Sequence, residues 1–253
     1  LLDAIRRSDM PDVEKGELFS LAISYFKIGH IYKLTSKGRT QITDEMVVAG
    51  VAEFADPRVM EVGVSDGSSA MGLLARSDFS AKLFLTDRAN RYYRSEGLLG
   101  CYYYDSEQRR IGYKLGFLYT DLSAFESTLR REFGAVETAN PLLESRFGVS
   151  SIEHFNMFED ICRPPVHVVK CANLLNLEYF SKDVLISAVE NIARSVVEGG
   201  YIVIGQNNER FSGGEAAFML RKEGERLVVV KERNSHDAAP LFKNAGPHSG
   251  DAA

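Results

Sequence analysis

Glu61-Val62-Gly63-Val64-Ser65-Asp66-Gly67-Ser68-Ser69 is the stretch of this chain best suited to hold a ligand. It follows a short apolar run and opens a helical one. Gly63 and Gly67 permit a tight turn and a close approach of ligand to backbone, and the start of a helix supplies free N–H groups. The spacing is GxxxG, not the GxGxxG of nicotinamide dinucleotide binding. An acid at the end of the strand, Glu61, suits a cationic or hydroxyl-bearing ligand better than a pyrophosphate.

Three further groups recur at the ends of apolar runs. Leu83-Phe84-Leu85-Thr86-Asp87 ends in an acid about twenty residues past the glycines, where a carboxylate can accept both hydroxyls of a ribose. Charge-assisted hydrogen bonds of that kind contribute about 1.5–3 kcal/mol each. The competing reading of Asp87 is a helix N-cap. Glu153-His154-Phe155-Asn156-Met157-Phe158 offers Asn156 to the edge of an adenine and Met157 or Phe158 to its face; the competing reading makes Asn156 a turn residue and the other two core. Val168-Val169-Lys170-Cys171-Ala172-Asn173 places Asn173 just past a strand, facing a reacting centre or serving as a turn-stabilising Asx residue.

These residues need a scaffold that brings strand ends together. From Val59 onward short apolar runs alternate with helical stretches: Val59 to Val62, Lys82 to Thr86, Ser151 to Phe155, Val166 to Cys171 and Tyr201 to Ile204 read as strands. Ser181 to Val197 reads as an amphipathic helix with Ser181 as cap and Gly199-Gly200 as its stop. Such alternation predicts an α/β fold with a mostly parallel sheet. Glu215 to Arg221 and Arg226 to Glu232 predict an antiparallel hairpin closing the domain. Residues 1–55 read as a helical cap or lid, with Thr43 capping its second helix and Asp44 and Glu45 in that helix's first turn. Residues 56–237 form the main domain, with an insertion at about 90–147 beside the ligand cleft. That insertion holds a hairpin, Cys101 to Asp105 with Arg110 to Leu118, and a helical stretch, Leu122 to Phe133. Residues 238–253 read as a flexible tail.

Composition narrows the partners. The 253 residues are 45% hydrophobic and 26% charged with a net charge of −5, which argues against a nucleic-acid partner held by phosphate contacts. No apolar run reaches the roughly 18 residues of a membrane span. Cys101, Cys162 and Cys171 are isolated, so neither a disulfide framework nor a metal site is expected, and a cytoplasmic location is the simplest expectation. A small-molecule substrate is expected, and a homodimer remains open.

Taken together, Glu61 to Gly67, Asp87, Asn156 with its aromatic neighbour, Cys171 to Asn173 and Gly199-Gly200 resemble, in order and spacing, the ligand-loop motifs of class I S-adenosylmethionine-dependent methyltransferases. The resemblance covers about Val59 to Glu232 without the insertion, and Lys170 to Gly205 is also similar to chemotaxis-receptor glutamate methyltransferases. It implies a Rossmann-like seven-stranded sheet with a reversed terminal strand. It also implies S-adenosyl-L-methionine as cofactor, with Glu61, Gly63, Ser65 and Gly67 at its methionine end, Asp87 at the ribose, Asn156 and Met157 at the adenine, and Asn173 near the sulfonium. Asn156 stands where the family commonly has an acid, and His167 where many members have Asp.

Methyl transfer is an in-line displacement, so much of the protein's part is orientation. An oxygen or nitrogen nucleophile of high pKa needs a base, and His30, in the N-terminal segment, is the candidate. Arg88-Ala89-Asn90-Arg91-Tyr92-Tyr93-Arg94, Tyr102 to Tyr104 and Arg109-Arg110 suit an anionic or aromatic substrate, or else an ordinary solvated face and hairpin. The leading expectation is methyl transfer to an O or N atom of a small molecule, such as a secondary metabolite. The rivals are a protein carboxyl methyltransferase, a non-catalytic methyltransferase-like binding or dimerisation domain, and a nicotinamide dehydrogenase.

Overall fold

The computed structural model describes residues 1–24, 27–28, 31–32, 38–116, 118–122 and 134–243. In chain order the elements begin with α1 (Leu2–Arg6), α2 (Asp12–Ser24), β1 (Lys27–Ile28), β2 (Ile31–Tyr32), α3 (Gln41–Val51), β3 (Arg58–Val62), α4 (Ala70–Leu74) and β4 (Lys82–Asp87). Then come β5 (Arg91–Glu96), β6 (Cys101–Tyr104), β7 (Arg110–Leu115), β8 (Leu118–Asp121), β9 (Ala135–Glu137), α5 (Pro141–Phe147) and β10 (Glu153–His154). The chain ends with β11 (Val166–Ala172), α6 (Lys182–Ala193), β12 (Val196–Asn207), β13 (Glu215–Glu223), β14 (Arg226–Arg233) and α7 (Pro240–Lys243).

Seven strands form one sheet in the order β10-β4-β3-β11-β12-β13-β14. The run β4-β3-β11-β12 is parallel, β13 is antiparallel to β12, and β14 is antiparallel to β13. This is the mostly parallel α/β sheet that the alternation predicts, with the terminal antiparallel pair and the Rossmann-like seven-stranded form that the resemblance implies. Central strands buried on both faces read as near-continuous apolar runs. One face carries Met60, Val169, Ile202, Ile204 and Phe218 against Leu185, Ala188, Val189 and Ile192 of α6. The other carries Val59, Val168, Tyr201, Val203 and Met219 against Met46, Val47 and Val51 of α3.

Two compact units divide the chain: Leu1–Ser36, Ser65–Ser68 and Asp87–His154 in one, Lys37–Val64, Ser69–Thr86 and Phe155–Ala253 in the other. Helix α3 therefore groups with the main sheet, while α1 and α2 group with the inserted segment. In that first unit a five-stranded antiparallel sheet runs in the order β8-β7-β6-β5-β9. Its core joins Leu2 and Ile5 of α1 and Phe19 and Ile23 of α2 to Tyr92, Ile111 and Val136 of the strands. The expected hairpin is there as β6 and β7, and the expected helix from Leu122 to Phe133 falls, from residue 123 on, outside the described residues.

Three local readings are corrected. Thr40, not Thr43, occupies the N-cap of α3, and Thr43 lies inside the helix. Gly199-Gly200 does not stop α6, which ends at Ala193; the pair lies within β12. A Cβ on Gly200 would lie 2.6 Å from the His167 carbonyl oxygen, so the glycine serves strand approach where the β11–β12 register shifts. Ala238 and Ala239 are fully buried and Phe242 of α7 packs on the core, so residues 238–243 are part of the fold and not of a tail. No described helix is long and apolar enough to cross a membrane.

Candidate functional site

In the unit built on the main sheet, Glu61 is the penultimate residue of β3, with 1% of its surface exposed. It is the direct register partner of Lys170 on β11, so both side chains continue the face that Val59 and Val168 begin. Glu61 Oε1 accepts from the Ser69 hydroxyl at 2.7 Å and pairs with Lys170 Nζ at 3.1 Å. Glu61 Oε2 is buried and, among the described residues, has no hydrogen-bond partner. Lys170 also meets Asp44 of α3, at 2.8 Å. Burial works against the Lys170 ammonium, but the Glu61 and Asp44 carboxylates outweigh it and hold the lysine above its usual value. Burial likewise pushes Asp44 up to about 6, against the pull of Lys170. The turn after Glu61 is pinned by Gly63 and Val64, whose N–H groups donate to the Thr86 carbonyl at 2.8 and 3.2 Å. Gly63 has φ +74°, and a Cβ there would lie 2.8 Å from Leu174 Cδ2; the backbone conformation is what requires glycine, since the end of the leucine side chain can shift.

The loop continues as Ser65 to Ser68 in the other unit, and Ser65 holds a left-handed φ of +59° despite its side chain. The Asp87 carboxylate fixes it: Oδ2 accepts from the Ser65 N–H at 2.7 Å, and Oδ1 from the Ala89 N–H at 2.7 Å. Asp87 is not a helix cap, since β5 follows it. Beneath the loop, fully buried Asp66 accepts from Ser20 at 2.6 Å, Ser68 Oγ at 2.8 Å and Asn140 Nδ2 at 3.2 Å. Gly67 has φ +84°.

The remaining expected contacts are engaged locally. Asn156 Oδ1 accepts from the Phe158 N–H at 3.2 Å, and its own N–H donates to Asp160 at 2.7 Å, the turn geometry that competes with an adenine contact. Met157 belongs to the core, and its carbonyl accepts from Asn191. Asn173, at φ +58°, is clamped to Asn207: its Nδ2 donates to Asn207 Oδ1 at 2.7 Å and its Oδ1 accepts from the Asn207 N–H at 2.6 Å.

His30 lies outside the described residues. His167 Nδ1 accepts from the Arg58 N–H at 3.0 Å, and buried His236 accepts through Nδ1 from Ala238 at 3.1 Å. Of the arginines of the inserted segment, Arg91 pairs with Glu137, Arg94 with Glu96 and Arg109 with Asp105 and Glu107, while the Arg110 guanidinium lies over the Tyr102 ring. That arrangement favours the solvated-face reading over anion recognition.

Lys170 and Asp44 carry chemistry that the motif reading passes over. A lysine inside the apolar run Val166–Cys171 was the available signal, because a buried ammonium needs counter-charges. Nothing local in Thr40 to Glu45 marks Asp44 as one of them.

No family model matches the chain, and no curated protein matches it in sequence. Three solved structures it resembles are methyltransferases by description. The apo S-adenosylmethionine-dependent methyltransferase SibL matches at 15% identity and TM-score 0.38, over 68% of this chain and 38% of that one. An amino pentose methyltransferase of calicheamicin biosynthesis from Micromonospora echinaspora, with S-adenosylmethionine bound, matches at 13% and 0.36, over 74% and 64%. The mitomycin 7-O-methyltransferase MmcR matches at 15% and 0.38, over 83% and 44%. This chain therefore spans less than two thirds of the length of each. The strand order itself, rather than these scores, defines the fold.

Proposed function

We propose that the chain is an S-adenosylmethionine-dependent methyltransferase that moves a methyl group to an oxygen or nitrogen atom of a small molecule. The observation that carries this reading is Glu61 Oε2, a buried carboxylate oxygen without a partner at the C-terminal end of β3. It opens a loop in which Gly63, Ser65 and Gly67 all hold positive φ. A carboxylate so placed fits the ammonium of an amino-acid moiety. Asp87, whose carboxylate fastens Ser65 of the same loop, is the proposed acceptor for the ribose hydroxyls. When bound, the cofactor supplies a methyl group on a positively charged sulfur. The chain's own part is to hold the two ends of the cofactor, to orient the acceptor, and to take up its proton.

Asn156 and Met157 are the proposed adenine contacts and Asn173 the proposed contact near the sulfonium, each in addition to the local hydrogen bonds it makes. His30 stands as the proposed base on sequence grounds. Calorimetric titration of the wild type and of Asp87→Ala with S-adenosylmethionine and S-adenosylhomocysteine tests the reading. Micromolar binding, lost in Asp87→Ala, is expected; no heat with the wild type at high micromolar protein overturns it. His30→Ala is expected to keep binding and lose transfer of labelled methyl.

A further inference from the structure

Lys170 has none of its side chain exposed, and it is flanked by two carboxylates, not one. Asp44 takes the shorter contact, 2.8 Å against 3.1 Å for Glu61. The Ser69 carbonyl at 3.4 Å and the Thr40 hydroxyl at 3.5 Å complete its surroundings. One ammonium and two carboxylates leave the cluster with a surplus of one negative charge. Had Lys170 met Glu61 alone, it would have cancelled the acid that the proposed ligand contact needs. With Asp44 present, the lysine is balanced from α3. Both Lys170 and Ser69 hold Glu61 by the same oxygen, Oε1, which leaves Oε2 without a partner among the described residues.

We propose that Lys170 is a positioning residue: anchored to Asp44, it fixes the Glu61 carboxylate with one oxygen presented and its charge uncancelled, so that the site selects nucleoside ligands that carry a free amino group. This rests on the cofactor reading above and adds to it a source of selectivity that lies beyond ligand contact.

The test compares two probes by calorimetry on the intact chain. S-Adenosylhomocysteine carries the amino-acid end, while 5′-methylthioadenosine keeps the nucleoside and sulfur without it. Lys170→Met and Asp44→Asn are each expected to lower the preference for the first probe over the second by about tenfold or more, the size of one lost charged hydrogen bond. Affinity for 5′-methylthioadenosine should stay within about twofold of wild type, and Glu61→Gln should give the same pattern. Folded variants that keep the wild-type preference, or that weaken both probes equally, overturn the proposal and leave Lys170 a purely structural residue. If Lys170→Met does not fold, Asp44→Asn decides by the same criterion. A wild type that binds neither probe overturns the cofactor reading itself, and this proposal with it. A wild type that binds, with variants that keep its preference, overturns this proposal alone.

Discussion

At Glu61 the two oxygens of one carboxylate have different surroundings, and at Asp87 both are occupied by backbone N–H groups. Asp87→Asn keeps the shape but replaces one acceptor with a donor, so either Ser65 or Ala89 loses its partner. A stability loss of about 1–3 kcal/mol is expected, read by urea denaturation, with weaker S-adenosylhomocysteine binding alongside. A variant as stable as wild type would show that the loop does not depend on this carboxylate. Glycines and acids at strand ends stand out in the sequence, though for Asp87 the same pattern also suited a helix cap, and only the strand that follows it decides against that. Lys170 was less legible: its two partners come from different elements, and one of them, Asp44, looks in sequence like an ordinary first-turn acid complementing a helix dipole.

Helix α3 is held by contacts from the far end of the chain. The Glu215 carboxylate on β13 accepts from the Ile42 N–H at 2.7 Å, the Thr43 N–H at 2.9 Å and the Thr43 hydroxyl at 2.5 Å. This carboxylate does the work of a cap for N–H groups that the first helical turn leaves unpaired. Thr43 also lies so close to β12 that a Cβ on Gly205 would fall 2.0 Å from its Oγ1. Gly205→Ala should cost about 1–3 kcal/mol or more by overpacking, and less in a Thr43→Ala background, a coupling that a double-mutant cycle measures. Additive costs would rule out the steric account. The apolar period of α3 is plain in the sequence, but its start is not. Thr40 and Thr43 are equally good cap residues locally, and the acid that meets Thr43 is 172 residues away. Gly199-Gly200 misled for a similar reason, since a glycine pair reads as a helix stop when its strand neighbour is unseen.

Across the whole molecule, two buried groups give opposite responses to acid. Burial pulls His236 down to about 4, below its usual 6.5, with Nδ1 tied to the Ala238 N–H and the ring edge-on to Phe218. Its contribution to stability is complete above pH 6.5 and is lost as pH falls toward 4. Asp44, raised from 3.8 to about 6, binds its proton more tightly when folded, so its contribution grows as pH falls from 6 toward 3.8. Each amounts to roughly 3 kcal/mol, and in the wild type they offset. Thermal melts from pH 6.5 to 4 should therefore fall more steeply with acid in Asp44→Asn than in wild type and less steeply in His236→Phe; parallel curves for all three would refute the assignment. The sheet was legible as a whole because its strands are continuous apolar runs, whereas the grouping of α1 and α2 with the inserted sheet depends on contacts such as Phe19 and Ile23 with Tyr92 that no local pattern announces. That grouping bears on the order of synthesis. Six segments alternate between the two units, and the last segment of the first unit ends at His154. Once a ribosome has added residue 154 it has supplied every part of that unit, the Ser65–Ser68 loop included, while β11 to β14 are still unmade. At about 5–20 residues per second, β11, complete at residue 172, follows within about 1–4 s; until then β3 lacks its neighbour on that side, whereas β4 already has both of its own, β3 and β10.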